Sequence, residues 1–185
     1  GERILFMDQM QNIFGHFTTV PASVPFVKFQ LTENCRNTRE IVSYLSNLVG
    51  QEILCFSDSP QGAAVITQTF KNALEQQKFV LDEIKSLIKE HDITASQILL
   101  LLNSPKAKSC LGNTTKAGSL AIQSLDNKGR MNNDSIQYTT INTFKGLEAD
   151  VVFVLDTHLI SNSQRMEKLY TAASRARHKL YLLGE

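Results

Sequence analysis

The sequence lacks any metal-binding pattern among its few cysteines and histidines. Its three cysteines and four histidines are scattered over 185 residues, and none are paired at the spacing of a zinc site. An odd number of well-separated cysteines is typical of reduced thiols inside the cell. We therefore expect a cytoplasmic protein with no metal site of its own.

Long apolar segments and an excess of one charge are also absent. The longest apolar runs, Ile98–Leu102 and Val151–Leu155, have five residues each, whereas a membrane-spanning helix needs about 20. The first residues do not have the pattern of a signal peptide. Lys and Arg number 19 against 18 Asp and Glu, so composition alone does not indicate nucleic acid. We expect no membrane contact, and any nucleic-acid function has to be inferred from motifs.

A phosphate-binding loop is missing as well. The sequence contains no Gly-x-x-x-x-Gly-Lys-Ser/Thr, and no Asp-Glu pair follows an apolar strand. We therefore expect the chain by itself neither to bind ATP tightly nor to hydrolyse it. Because the chain opens almost directly in a strand-like run, we also expect it to be part of a longer protein.

The pattern that is present is that of an α/β domain with a mostly parallel sheet, since short apolar runs alternate with longer segments of helical period. The hydrophobic content of 42% is enough for one core. The predicted strands are Arg3–Met7, Phe26–Leu31, Ala63–Thr67, Gln97–Leu102, Ile136–Ile141, Val151–Leu155 and Lys179–Leu183. The predicted helices are Thr38–Leu48, capped by Gly50, Lys71–Glu90 and Gln164–Arg177.

Two further structural expectations concern the middle of the chain. The second predicted helix carries an apolar stripe that should contact the core, formed by Leu74, Leu81, Ile84 and Ile88. The polar stretch Asn103–Asp134 predicts a poorly patterned helix and an edge strand joined by loops.

Polar residues that follow predicted strands are candidates for a site, because ligands of doubly wound sheets bind at the carboxyl ends of strands. Thr140–Glu148 is the most informative such segment, although its residues also suit an ordinary turn. Arg36 follows another predicted strand and could contact a phosphate or a surface carboxylate, while Asn34 or Asn37 could cap the next helix.

Arg175 is a further candidate, on the last predicted helix. It lies among small residues that let this helix pack closely, so its long side chain should project from the packed surface. The alternative is an ordinary solvated arginine.

In their order along the chain, four segments resemble motifs III to VI of UvrD/Rep-type superfamily 1 helicases. They are Asp8-x-x-Gln11-x-Ile13-Phe14, Asn34-x-Arg36, Thr140-x-x-x-x-Lys145-Gly146-Leu147-Glu148 and Tyr170-x-Ala172-x-Ser174-Arg175-Ala176. The resemblance implies a RecA-like three-layer α/β/α domain, the second motor domain, over residues 21–185. Residues 1–20 would be the end of the first motor domain, and residues 104–134 a polar insertion in place of a further domain.

The resemblance also implies an activity, which is ATP-dependent movement along DNA. Such a helicase binds single-stranded DNA, or a duplex with a single-stranded tail, and hydrolyses ATP in the cleft between two motor domains. ATP and Mg²⁺ would be held mainly by the first motor domain, the partner of this domain in the same protein.

By residue, the resemblance assigns three groups of roles. Arg36, Arg175 and Gln11 would act on the γ-phosphate. The nucleotide would also contact Glu148, which would bind the ribose, together with Asp8, Lys145 and Gly146. The DNA would contact Thr140 and Asn142, with Phe14 and His16 available for base stacking.

Two departures from the family pattern leave other functions open. Cys35 stands where the family often has an aromatic residue that packs on adenine, and Asn142 stands where it often has histidine. One alternative is a degenerate, non-catalytic helicase-like domain that serves as a scaffold or binds DNA. Another is the motor part of a helicase–nuclease.

Overall fold

The computed structural model of the protein describes residues 33–125, 134–143 and 148–184. Its strands are β1 (Glu33–Asn34), β2 (Leu54–Cys55), β3 (Ile66–Thr69), β4 (Ile98–Leu102), β5 (Lys116–Ala117), β6 (Leu120–Ser124), β7 (Ser135–Thr140), β8 (Ala149–Leu155) and β9 (Ala176–Gly184). Its α-helices are α1 (Arg39–Val49), α2 (Ala73–Glu90) and α3 (Arg165–Ala173). The predicted strands Arg3–Met7 and Phe26–Leu31 lie outside the described residues.

Seven of these strands form one sheet in the order β3-β9-β8-β4-β7-β6-β5. Every neighbouring pair is parallel except β5 and β6. Strands β1 and β2 pair separately. The predicted α/β class with a mostly parallel sheet is confirmed.

The centre of the sheet is β4, flanked by β8 and β7. All five residues of β4 are buried, which fits a parallel strand covered on both faces. Leu100 and Phe153 face one hydrophobic cluster together with Ile84 of α2. Leu99 and Val152 face a second cluster, on the opposite side, that includes residues of α1 and α3. These three layers are the arrangement expected of a RecA-like domain.

The core-facing side of α2 differs from the predicted stripe. Ile84 is fully buried, but Leu74 is 74% exposed, so its assignment to the core was wrong. The buried positions are Gln76, Val80, Ile84 and Leu87. Because a glutamine occupies the first of them, the true face did not stand out as an apolar pattern.

The end of the last helix was also predicted wrongly. Helix α3 ends at Ala173, and β9 begins at Ala176 rather than at Lys179. Ser174 and Arg175 therefore form a turn instead of a final helical turn. Alanine and arginine favour helix, but pairing of β9 with β8 at Ala149 outweighs that local preference.

The polar stretch after β4 contains more sheet than helix. In the described part of it, one short 3₁₀ turn at Lys106–Lys108 takes the place of the expected helix, and β5 and β6 extend the sheet. The expected edge strand is confirmed. Among the described helices, none is long and apolar enough to cross a membrane.

Candidate functional site

The segment that precedes α1 is folded by Asn34. Its side-chain oxygen accepts hydrogen bonds from the backbone N–H groups of Arg36 and Asn37, both at 3.0 Å. This local bonding is a turn that asparagine commonly forms. The turn leaves the Arg36 side chain pointing outward, where about half of its surface is exposed.

Arg36 pairs with Glu148, the residue just before β8. The guanidinium Nε lies 3.1 Å from a carboxylate oxygen, and the two side chains are 47% and 44% exposed. Ion pairs this exposed contribute only about 0–1 kcal/mol to stability. The pair therefore brings two predicted site residues together without being needed for the fold, so either partner can exchange the other for a ligand at small cost.

Arg175 lies in the turn between α3 and β9 and is only 3% exposed. Its backbone N–H donates to the carbonyl of Ala172 at 3.2 Å, and its carbonyl accepts from the N–H of Ala149 at 3.0 Å. The expectation that its side chain projects from the packed surface of a helix was therefore wrong, and so was the alternative of a solvated arginine. The small residues predicted to allow close packing are indeed buried, since Ala172, Ala173 and Ala176 have no exposed surface.

Asn37 joins the Arg36 turn to the Arg175 turn. Its side-chain N–H groups donate to the carbonyls of Ser174, at 3.2 Å, and Ala176, at 2.5 Å. These are the residues on either side of Arg175. The expectation that Asn34 or Asn37 caps α1 through its side chain was wrong, because the helix cap is Thr38 and Asn37 is used in this long-range contact.

The amino end of α1 is closed by the loop that follows β2. The first amides of the helix, those of Arg39 and Glu40, donate to the carbonyls of Pro60 and Gln61 at 3.0 and 3.1 Å. Free amides at a helix amino end can bind phosphate, but these two are already used. These two amides are therefore not available to bind a phosphate.

The Arg36–Glu148 pair and the turn that contains Arg175 thus lie next to one another at the amino ends of β8 and β9. We name this group the amino-edge cluster. The expectation of a carboxyl-end position was wrong for Glu148, because β8 runs parallel to β4, as β7 does, and begins at Ala149 on the opposite edge. Arg36 does follow the carboxyl end of a strand, β1.

Thr140 and Asn142 do lie at the carboxyl end of β7, Thr140 as its last residue and Asn142 two residues further on. The Thr140 hydroxyl is 2.8 Å from that of Thr143, and Asn142 is exposed. Nearby, at the end of the adjacent strand β4, the Lys168 ammonium donates to the Asn103 side chain at 3.1 Å. Because a six-residue strand spans roughly 20 Å, these groups are well separated from the amino-edge cluster.

Six of the predicted site residues lie outside the described residues, and their assignments stay predictions. They are Asp8, Gln11, Phe14, His16, Lys145 and Gly146.

Two residues at the amino edge make contacts that sequence reasoning missed. One is Asn37, considered only as a possible helix cap, whose carbonyl partners are more than 130 residues away. The other is Asp150, which accepts from the Gln97 side chain at 2.9 Å and pairs with Arg177 and His178 at 3.6 and 3.7 Å. No local spacing signals contacts of this kind. In the part of the chain that the structure describes, no group of acidic, histidine or cysteine side chains is arranged to hold a metal ion.

Comparison with known proteins identifies the carboxy-terminal part of the chain. Residues 136–183 match the family model of the UvrD-like helicase C-terminal domain, and these residues run from β7 to β9. No curated protein matches the chain. The resemblance to UvrD-type helicases is confirmed for this segment, which is similar to the UvrD-like helicase C-terminal domain.

One solved structure supports the fold. A "possible DNA helicase" from Lactobacillus plantarum WCFS1 has a C-terminal domain that is similar, with a TM-score of 0.62 and 20% identity over 81% of this chain and 86% of that one. PRRSV helicase matches with a TM-score of 0.35 and 12% identity, over 84% of this chain and 23% of that one. At 20% identity, the similarity to the Lactobacillus plantarum domain shows a shared fold alone.

Proposed function

We propose, on the premise that residues 136–183 form a UvrD-like helicase C-terminal domain, that the chain is the second motor domain of an ATP-dependent superfamily 1 DNA helicase or translocase. The observation that carries the proposal is the amino-edge cluster. Arg36 and Glu148 form an ion pair, and the turn that contains Arg175 is hydrogen-bonded to the segments of both; these are residues that the family resemblance assigns to the nucleotide.

The chemistry of the cluster suits a nucleoside triphosphate. Guanidinium groups are planar, permanently charged donors that match phosphoryl oxygens, and in phosphoryl transfer they stabilise charge that spreads over those oxygens in the transition state. Arg36 and Arg175 would act on the γ-phosphate, and Glu148 would accept a hydrogen bond from the ribose. For Arg36 and Glu148 this requires exchanging their exposed ion pair for the nucleotide.

Mg²⁺ would neutralise phosphate charge in such a reaction, bound mainly by the first motor domain. The side chains of the amino-edge cluster fit the phosphates rather than the ion, since two of the three are cations and Glu148 is already paired with one of them. In this proposal the domain completes a site whose phosphate-binding loop and metal ligands belong to the first motor domain.

The carboxyl edge of the sheet would face single-stranded DNA. Thr140 and Asn142 present a hydroxyl and a carboxamide, groups that commonly contact nucleic-acid phosphates and sugars. The segment between β7 and β8 connects this edge directly to Glu148. Binding of DNA at one edge could thereby alter the nucleotide contacts at the other.

The proposal is tested by measuring DNA-stimulated ATPase in the full-length protein. Arg36→Ala and Arg175→Lys should each lower kcat, because loss of an arginine finger costs roughly 10³- to 10⁵-fold and lysine does not reproduce the planar fork. Single-stranded DNA affinity should stay within a factor of about two, since the DNA would bind at the opposite edge. The chain without its first motor domain should show no ATPase.

Arg177→Ala is the matched control for Arg36→Ala. Arg177 is similarly exposed, at 51%, and is likewise held by one carboxylate, that of Asp150, but it lies outside the cluster. Wild-type turnover in Arg36→Ala and Arg175→Lys would refute the assignment. A full-length wild-type protein that binds DNA but has no ATPase would instead favour the non-catalytic scaffold.

A further inference from the structure

We infer that Asn37 is a positioning residue that fixes the Arg175 turn against the Arg36 turn, so that both guanidinium groups approach one nucleotide together. This inference rests on the proposed function. Asn37 itself is 2% exposed and would contact neither nucleotide nor DNA.

Both N–H groups and the oxygen of the Asn37 carboxamide are hydrogen-bonded. Its two N–H groups donate to the carbonyls of Ser174 and Ala176, and its oxygen accepts from the Asn34 side chain at 2.7 Å. The carbonyls on both sides of Arg175 are therefore held by one side chain. That side chain is in turn tied to the asparagine that folds the Arg36 turn.

The sheet holds this turn at one further point. The Arg175 carbonyl accepts from Ala149, which immediately follows Glu148, so strand pairing fixes the turn relative to β8. Two contacts tie it to the segment of Arg36: the Asn37 side chain, which holds the carbonyls on both sides of Arg175, and the Thr38 N–H, which donates to the Arg177 carbonyl at 3.2 Å. These contacts together make Arg36, Glu148 and Arg175 parts of one hydrogen-bonded unit.

No other side chain would serve equally well at this position. Two carbonyls require two donors at a short, fixed reach, and only asparagine offers both at this length. Serine has one donor. Aspartate has none when ionised, and would place a carboxylate against two carbonyl oxygens at a site with almost no access to water.

Loss of this contact should affect turnover more than binding. Misplacing a catalytic group by about 1 Å can cost roughly 100-fold in rate, and an interaction made chiefly in the transition state appears in kcat rather than in KM. For Asn37→Ala we therefore expect kcat to fall roughly 10- to 100-fold, with KM for ATP and affinity for single-stranded DNA each within about twofold of wild type.

The experiment compares Asn37→Ala with Asn72→Ala in the full-length protein. Asn72 caps α2 by accepting from the Glu75 N–H at 3.0 Å, so its replacement also removes asparagine hydrogen bonds but does so away from the cluster. Steady-state ATPase with saturating single-stranded DNA gives kcat and KM, and thermal unfolding reports folding. Asn72→Ala should keep wild-type kcat.

A double-mutant cycle separates positioning from a general loss of stability. If Asn37 acts through Arg175, Asn37→Ala should lower kcat much less in an Arg175→Lys background than in the wild type, since coupled residues are not additive. An equal fold-loss in both backgrounds would overturn the inference, as would an Asn37→Ala enzyme indistinguishable from Asn72→Ala.

Two further outcomes are informative. If Asn37→Ala does not fold, Asn37→Ser keeps one donor and should show a smaller kcat loss, and wild-type kcat in that variant would equally overturn the inference. If Arg175→Lys itself keeps wild-type turnover, the proposed function fails and not merely the role of Asn37.

Discussion

Gly62 lies outside the amino-edge cluster, but replacing it with alanine should destabilise the domain and disorder the Arg36 turn. Its φ of +79° places it in the left-handed region, and a Cβ built there would lie 2.4 Å from Cβ and Oγ1 of Thr38. Thr38 is itself 1% exposed and lies two residues beyond Arg36. Because the contact is with atoms next to the backbone, it cannot be relieved by rotating a flexible side chain.

The magnitude follows from two separate terms. Placing a residue with a Cβ in the left-handed region costs about 1–2 kcal/mol, and forcing extra volume into a packed site costs about 1–3 kcal/mol more. Gly62→Ala should therefore lower the free energy of unfolding by roughly 2–5 kcal/mol. The displaced loop also supplies the carbonyls that close α1, so the Arg36 turn should become less ordered and kcat of the full-length protein should fall.

Gly50→Ala isolates the steric term. Gly50 has a similar φ of +68°, but nothing lies within 4 Å of its added Cβ. Only the backbone term applies there, about 1–2 kcal/mol. Urea unfolding followed by circular dichroism measures both variants. If they are destabilised equally, the packing argument for Gly62 is wrong.

Two stability predictions test the core. Burial, together with the hydrogen bond to Glu83 at 2.5 Å and the charge of that carboxylate, raises the pKa of Tyr181 above its usual value of 10.0. The folded state then keeps a proton that the unfolded state loses, so stability should be unaffected below pH 10 and should fall above it by up to about 1.4 kcal/mol per pH unit. Tyr181→Phe should reduce this alkaline loss in unfolding measurements from pH 9 to pH 11, and an unchanged pH dependence would contradict the assignment. On α2, Ile84→Ala should lower the free energy of unfolding by about 2–5 kcal/mol. Leu74→Ala, at an exposed position, should leave it within about 0.5 kcal/mol of wild type. If urea unfolding shows similar losses for both variants, the exposed face of α2 was misidentified.

The sheet was predictable wherever a strand is buried on both faces. Strands β4 and β8 each contain a run of five apolar residues, Ile98–Leu102 and Val151–Leu155, because the two helical layers leave neither face in water. Helix α1 was recognised from its apolar spacing, and its cap at Gly50 is confirmed by a left-handed φ. These features depend on residues that are close together in the chain, so they can be predicted from one sequence.

Other features depend on distant partners and could not be predicted locally. The helical residues before β9 favoured a helix that ran on to Arg177, whereas strand pairing ends it at Ala173. Asparagine is a common helix-capping residue, but the side-chain N–H groups of Asn37 donate to the carbonyls of Ser174 and Ala176. The motifs therefore predicted which residues approach the site, and the topology determined at which edge they meet.

The topology also bears on how the two edges of the sheet could be coupled. Strands β7 and β8 are both parallel neighbours of β4, so the chain that leaves Thr140 at the carboxyl edge has to return to the amino edge before Ala149. Glu148, paired with Arg36, is the last residue of that return. That exposed pair is worth no more than about 1 kcal/mol, so Arg36 can leave Glu148 at little cost to the fold.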